Sequence, residues 1–300
     1  ISGSGPATVA AVGGMVIPTM LEKGYDKKFV LALIAAAGSI GVIIPPSIPM
    51  VIYAVTTNSS VSTLFLAGFV PGILIGLVLI AYSYFYAKKM GYKGDDEPFS
   101  VKRALRETKE GFWAILSPVI ILGGIFGGIF TPTESAAVAV VYALLVSLLI
   151  YKDIKIKDIP GIFVDGAIST ATILLLVGIS KSSGYVITTS GLPHQVLEVF
   201  SSFTNSTVVI LLLLNILFLV IGMLMEANAA IIMMTPILLP LLDAFGIDPL
   251  QFGIMMSFNL CIGLVTPPVG ICLLMANQIA GARFVQTLKS VLPMLLIGIV

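Results

Sequence analysis

The side chains best suited to chemistry in this chain are uncharged oxygens, and each group of them stands beside residues that stop the backbone bonding to itself. The first group is Ser2-Gly3-Ser4-Gly5-Pro6 with Thr8. The second is Gly41 to Ser47, with Ser39 just before it and Ile44-Pro45-Pro46-Ser47 at its end. The third is Glu226-Ala227-Asn228, and the fourth runs from Asn259 through Gly263 to Thr266-Pro267-Pro268. Two consecutive prolines supply no amides, so carbonyls around 41–44 lose their helical partners. Gly5-Pro6 opens a half-helix, with proline suited to the first turn. Carbonyls at a half-helix C-terminus attract cations, and amides at an N-terminus attract anions. The chemistry expected is two cation sites, one per break, with an anionic solute between them.

The cation follows from the side chains. Proton coupling wants titratable groups at depth, and the first tip has none while the second has only Glu226. Sodium needs only oxygens, so sodium is the expected coupling ion. The expected sodium ligands are Ser2, Ser4, Gly41, Ile44, Pro45 and Ser47 in one set, and Asn228, Asn259, Gly263, Thr266 and Pro267 in the other. Ser4, Gly5, Thr8, Ser47 and Asn228 are expected to face the substrate. No Lys or Arg lies in either tip, so a substrate carboxylate would be held by helix N-termini and hydroxyls, or by an arginine outside this sequence. No cofactor besides sodium is expected, and no enzymatic activity. His194 is the only histidine, and Cys261 and Cys272 are about 16 Å apart if helical. That is poor material for a nucleophile–base pair or a metal centre.

These groups belong to a repeat. Shifting the chain by 222 positions places Pro18, Gly24, Asp26, Ile40, Gly41, Pro45 and Pro46 on Pro240, Gly246, Asp248, Ile262, Gly263, Pro267 and Pro268. A single Pro-Pro break can be a packing kink. Two at equivalent places, each with a polar tip, match the paired interrupted helices of transporters with repeated halves.

The elements around the repeat are membrane spans. Hydrophobic residues make up 58% of the 300-residue chain, charged residues 10%, and mean hydropathy is +1.09. A soluble domain carries about 25% charged residues. The net charge of +1 and the lack of a basic tract with interleaved aromatics give no nucleic-acid partner. The partner is the lipid bilayer. Apolar segments are read at 7–20, 28–57 (broken at the prolines), 64–87, 112–130, 133–150, 166–180, 207–225, 230–244, 249–280 (broken) and 287–300. A charged loop over 88–110 ends in a surface helix, 151–165 is a basic connector, and 182–206 is a polar stretch without Lys or Arg. Thr131-Pro132-Thr133-Glu134 reads as a capped helix start. Lys and Arg mark cytoplasmic loops, which puts 23–28, 88–110, 152–157 and 283–289 inside, and 182–206 and 245–248 outside. The two copies are then antiparallel, and residues 226–228 become the tip of a re-entrant hairpin.

The fold class expected is an all-α polytopic membrane protein: inverted repeats with two re-entrant helical hairpins and two broken helices. Residues 1–57 form the repeat-one transport half, 58–165 scaffold and connecting helices, 166–282 the repeat-two transport half, and 283–300 a C-terminal scaffold helix. Because the first copy starts inside a polar cluster at Ile1, scaffold helices and the first arm of hairpin one are expected to precede this sequence.

The motifs Ser2-Gly-Ser-Gly-Pro-Ala-Thr, Gly41-Val-Ile-Ile-Pro-Pro-Ser, Phe130-Thr-Pro-Thr-Glu-Ser-Ala-Ala, Thr235-Pro-Ile-Leu-Leu-Pro and Gly263-Leu-Val-Thr-Pro-Pro-Val-Gly closely resemble the large membrane subunit of TRAP transporters (tripartite ATP-independent periplasmic transporters). The resemblance covers essentially the whole chain. It implies sodium-driven uptake of an organic acid, such as a C4-dicarboxylate or sialic acid, across the cytoplasmic membrane of a bacterium or archaeon. It implies a periplasmic substrate-binding protein and a small four-helix membrane subunit as partners, and an elevator motion of the transport domain against the scaffold. It also places Ser2, Ser4, Gly41, Pro45 and Ser47 at one sodium site and Asn228, Gly263, Thr266 and Pro267 at the other. A stand-alone sodium- or proton-coupled anion carrier is the alternative. A channel would need no inverted pair of sites, and a purely structural subunit would not need polar tips.

Overall fold

The computed structural model describes residues 3–92 and 100–299, and among them every regular element is helical. The chain divides into two compact units, one comprising Ile1–Tyr92 with Gly178–Val300 and the other Lys93–Val177.

In the first unit, α1 (Gly5–Glu22) starts with Pro6 in its first turn and ends before Gly24, whose φ of +78° suits only glycine. Asp26 caps α2 (Lys27–Ser39) by accepting from the Phe29 amide at 2.8 Å. The helix tightens into a 3-10 turn at Ile40–Val42 and stops, because Pro45-Pro46 cannot continue it. Ser47 then caps α3 (Ile48–Thr57), and α4 (Val61–Met90) follows, about 45 Å long.

The second unit holds α5 (Val101–Glu110), α6 (Phe112–Phe126), α7 (Pro132–Leu145, extended by a π turn to Tyr151) and the start of α8 (Ile159–Thr189). The expected start of α7 carries a full capping box: Glu134 N donates to Thr131 Oγ1, and Thr131 N donates to Glu134 Oε2 at 2.8 Å. α5 is polar, exposed and bent 63° from apolar α6. The first unit resumes with the end of α8, then α9 (Leu192–Phe203), α10 (Thr207–Leu224), α11 (Ala227–Phe245), α12 (Pro249–Gly263), α13 (Ile271–Ile279) and α14 (Phe284–Ile299).

Two stretches are more helical than the sequence suggests. The connector 151–165 and the polar stretch 182–206 are largely absorbed into α8 and α9. In 182–206 the hydroxyls of Ser182 and Thr189 donate to carbonyls four residues back and those of Ser190 and Ser202 to carbonyls three back, so side-chain polarity there is satisfied without leaving the helix.

The same offset, 222 residues for the first two pairs and 223 for the last two, relates helix boundaries. α1, α2, α3 and α4 begin at residues 5, 27, 48 and 61, and α11, α12, α13 and α14 at 227, 249, 271 and 284. The two broken helices run antiparallel. At one end Lys27 Nζ donates to the Ala280 carbonyl at the close of α13, at 2.8 Å. At the other, Tyr53 Oη near the end of α3 donates to the Pro249 carbonyl at the start of α12, at 2.6 Å. Between them Cys261 Sγ donates to the Ser39 carbonyl at 2.8 Å. Ser39 and Cys261 are themselves 222 residues apart, so equivalent positions of the two copies touch, as residues on a two-fold axis do. Their surroundings are apolar, and a buried polar group there is costly unless bonded.

Among the described residues, five helical segments are long and apolar enough to cross a membrane: Val61–Met90, Pro132–Tyr151, Ile156–Ile187, Thr207–Leu224 and Ala227–Phe245. Leu66, Val70, Leu74 and Leu77 of α4 are more than half exposed, as a lipid-facing surface requires. The protein is a polytopic all-α membrane protein.

Candidate functional site

Four helices begin in one neighbourhood of the first unit. The start of α1 lies on the start of α3: the Ile48 amide donates to the Gly3 carbonyl at 3.3 Å, and Gly3 has φ +67°, where a Cβ would sit 3.0 Å from Pro46 O. The start of α1 also lies on the second break, since a Cβ on Gly5 would sit 2.9 Å from Cys272 Sγ and 3.3 Å from Leu264 Cδ1. The tip between α10 and α11 meets the same region through the Val269 amide, which donates to the Met223 carbonyl at 3.4 Å. In each copy, therefore, an amide just after the Pro-Pro pair reaches back to a helix end, Gly3 before α1 or Met223 in the last turn of α10. Both Pro-Pro bonds, 45-46 and 267-268, are cis.

The first break leaves several carbonyls without backbone partners among the described residues. Ile40 O accepts from the Ile43 and Ile44 amides, and Ser47 Oγ donates to Val42 O at 2.5 Å. Among the described residues, no backbone hydrogen bond reaches the carbonyls of Gly41, Ile43 or Ile44. Ser47 is buried and also accepts from the Met50 amide at 3.3 Å, which leaves one lone pair of its hydroxyl unused. Thr8 Oγ1 donates to Ser4 O at 2.9 Å and stands over Gly41. Pro45 is buried, and Ile44 packs on Gly72 of α4. The structure thus brings Ser4, Gly5, Thr8, Gly41, Ile44, Pro45 and Ser47 together. Ser2 lies outside the described residues.

The second break is more self-contained. Gly263 O accepts from the Thr266 amide, Leu264 O from Cys272, and Thr266 Oγ1 donates to Ile262 O at 2.7 Å. Thr266 and Pro267 are half-buried. Gly263 is pressed against Gly222 of α10, where a Cβ would overlap backbone atoms. Asn259, one turn earlier, faces the same helix: its Nδ2 donates to Asn215 Oδ1 at 2.5 Å and to Met255 O at 2.8 Å. Asn215 and Gly222 stand apart from the repeat motifs, and only an unusual Asn in an otherwise apolar helix hints at the first.

At the second tip, Glu226 caps α11 by accepting from the Asn228 and Ala229 amides at 2.8 and 3.3 Å. Asn228 Nδ2 donates to the same carboxylate at 2.9 Å, while Asn228 Oδ1 is buried with no hydrogen-bond partner. An orphaned buried carbonyl oxygen costs free energy unless something positive meets it. Among the described residues, no three His, Cys, Asp or Glu side chains come together, so the donors on offer are neutral oxygens with a single carboxylate.

The class defined by this fold and site is a polytopic membrane protein whose paired broken helices converge on helix N-termini and uncharged oxygens. Residues 1–300 match the family described as "Tripartite ATP-independent periplasmic transporter, DctM component". The chain belongs to that family, as its motifs led one to expect. It is 45% identical over 295 residues to the isethionate TRAP transporter permease protein DctMQ of Oleidesulfovibrio alaskensis, covering 98% of this chain and 46% of that protein. It is 38% identical over 300 residues to the C4-dicarboxylate TRAP transporter large permease protein DctM of Pseudomonas aeruginosa, covering 100% of this chain and 70% of the relative. It is 37% identical over 295 residues to the sialic acid TRAP transporter large permease protein SiaM of Vibrio cholerae, covering 98% and 69%. The chain thus spans about half to two thirds of the length of these relatives.

Proposed function

We propose that this chain is the substrate- and cation-binding part of the large permease subunit of a sodium-coupled transporter that imports an organic anion. The relatives named above carry isethionate, C4-dicarboxylate and sialic acid in their names, so the solute is a carboxylate or sulfonate. It is delivered by a periplasmic binding protein, and a small membrane subunit accompanies the permease in the cytoplasmic membrane of a prokaryote.

The observation that carries this reading is the donor set. Neutral oxygens at two breaks, unbonded carbonyls at 41, 43 and 44, and the orphaned Asn228 Oδ1 suit a hard monovalent cation. Ser4, Gly41, Ile44, Pro45 and Ser47 would hold one sodium ion, and Asn228, Gly263, Thr266 and Pro267 the other. The ions supply positive charge in a place without Lys or Arg, and the helix N-termini supply oriented amides for the anion. Depth supports a re-entrant hairpin. Gly222 near the tip packs on the last residue of α12, which takes 15 residues, about 22 Å, to arrive there. That is short of the ~30 Å hydrocarbon core. Antiparallel broken helices support an inverted repeat, in which the transport halves move as an elevator against the scaffold.

The test is sodium dependence of uptake by the complete transporter. Asn228→Ala or Ser47→Ala raises the sodium concentration for half-maximal uptake by roughly tenfold, the effect of about 1.4 kcal/mol. An unchanged sodium midpoint removes that residue from the site.

A further inference from the structure

Glu226 is the one carboxylate at the hairpin tips, and its bonds are all local: two backbone amides of α11 and Asn228 Nδ2. The capping role explains the two amides. It does not explain the third bond, to a side chain whose other end is left buried and unbonded. A primary amide has a donor end and an acceptor end, and a carboxylate accepts only. Contact with Glu226 therefore fixes which way the Asn228 amide is turned. The nitrogen is held at the carboxylate, so the oxygen is the end presented away from it. Without Glu226 the amide could flip and donate where it now offers an acceptor.

We propose that Glu226 is a positioning residue for cation binding, acting through Asn228: it locks the amide with Oδ1 toward the ion. This rests on the reading that Asn228 is a cation ligand. Loss of a hydrogen-bond partner that orients a metal ligand typically lowers affinity by about 10- to 100-fold.

The arrangement can be reversed by exchanging the two functional groups. In Glu226→Gln the new amide donates to Asn228 Oδ1 and draws that oxygen away from the ion. In Asn228→Asp two carboxylates face each other. In the double variant, Glu226→Gln with Asn228→Asp, the introduced amide donates to one oxygen of the introduced carboxylate and leaves the other toward the ion. The carbonyl oxygen of that introduced amide still accepts from the helix amides.

The experiment uses the complete transporter, purified in detergent, with its thermal unfolding midpoint measured against sodium chloride and against choline chloride as control. Sodium that binds the folded form raises the midpoint in proportion to occupancy, so the sodium concentration for half the shift reads affinity without the solute. The midpoints in choline chloride report any loss of capping separately. The expected result is a sodium requirement raised at least about tenfold in Glu226→Gln, raised in Asn228→Asp, and returned to within roughly threefold of wild type in the double variant. If Asn228→Ala weakens sodium but Glu226→Gln does not, or if the double variant is no better than the singles, the positioning role is overturned and the cation site stands. If Asn228→Ala leaves sodium affinity unchanged, the ligand reading itself falls, and this inference with it.

Discussion

Gly41 offers the sharpest test of how the first tip and the first break fit together. A Cβ built on Gly41 meets Thr8 Oγ1 at 2.6 Å, whereas Thr8 Cβ is 3.5 Å away. The first distance is about 1 Å inside ordinary contact and the second is ordinary contact. Gly41→Ala therefore overpacks one atom, at a cost of about 1–3 kcal/mol. It also removes glycine freedom from the unfolded chain, which returns about 0.4–1 kcal/mol, so the net loss is about 1–2 kcal/mol. Thr8→Ala takes away the offending oxygen and its bond to Ser4 O, at a cost of about 0.5–1.5 kcal/mol. With that oxygen gone, Gly41→Ala has space, and only the return of about 0.4–1 kcal/mol from the lost glycine freedom remains. The two substitutions are coupled by about 1–3 kcal/mol in favour of the double variant, within the range seen for touching residues. The assay is the thermal midpoint of the complete transporter in choline chloride, where sodium does not contribute. At about 2 °C per kcal/mol for a large chain, Gly41→Ala lowers the midpoint by about 2–4 °C alone and raises it by about 1–2 °C on the Thr8→Ala background. An equal loss on both backgrounds would refute the contact, and with it the placing of hairpin one on the break.

Two more expectations follow from the contacts in the second copy and from the repeat. Gly263→Ala drives a methyl into Gly222 backbone, which cannot yield, whereas Gly222→Ala meets Gly263 Cα at 3.1 Å and Leu260 Cα at 3.1 Å. Gly263→Ala should therefore cost about 3 kcal/mol or more and Gly222→Ala clearly less, compared by thermal midpoints; the reverse order would contradict the helix crossing. Membrane sidedness is the other. Cys261 and Cys272 are buried, so an impermeant maleimide reads introduced cysteines at exposed positions: Lys27→Cys should label from the cytoplasm and Gln251→Cys from the periplasm. Labelling from the same side would end the inverted-repeat reading.

The parts of the fold legible in the sequence are those with a compulsory backbone consequence. Pro45-Pro46 and Pro267-Pro268 had to end helices, Gly24 and Gly246 had to turn, and the 222-residue offset between them carries over to helix boundaries. The tip cluster at 226–228 was legible because a carboxylate and an amide interrupt an apolar run. Other features depend on which faces meet. Nothing along the chain couples Asn215 to Asn259, and the pair is recognisable only once α10 lies on α12. Asn259, expected among cation ligands, gives its amide nitrogen to that crossing. The polar composition of 182–206 gave no helix boundary, because its hydroxyls bond carbonyls of their own helices. The contact of Ser39 with Cys261 was latent in the offset, but the two residue types differ, and identity was the signal being followed.

Sodium-driven import of an organic anion is tested most directly in proteoliposomes holding the complete transporter with its small subunit. Uptake of labelled isethionate, succinate and sialic acid is followed with and without the binding protein, under a sodium gradient alone or a proton gradient alone. The expected result is uptake of one of these anions that needs both inward sodium and the binding protein. Uptake driven by the proton gradient alone, or undiminished without the binding protein, would contradict it.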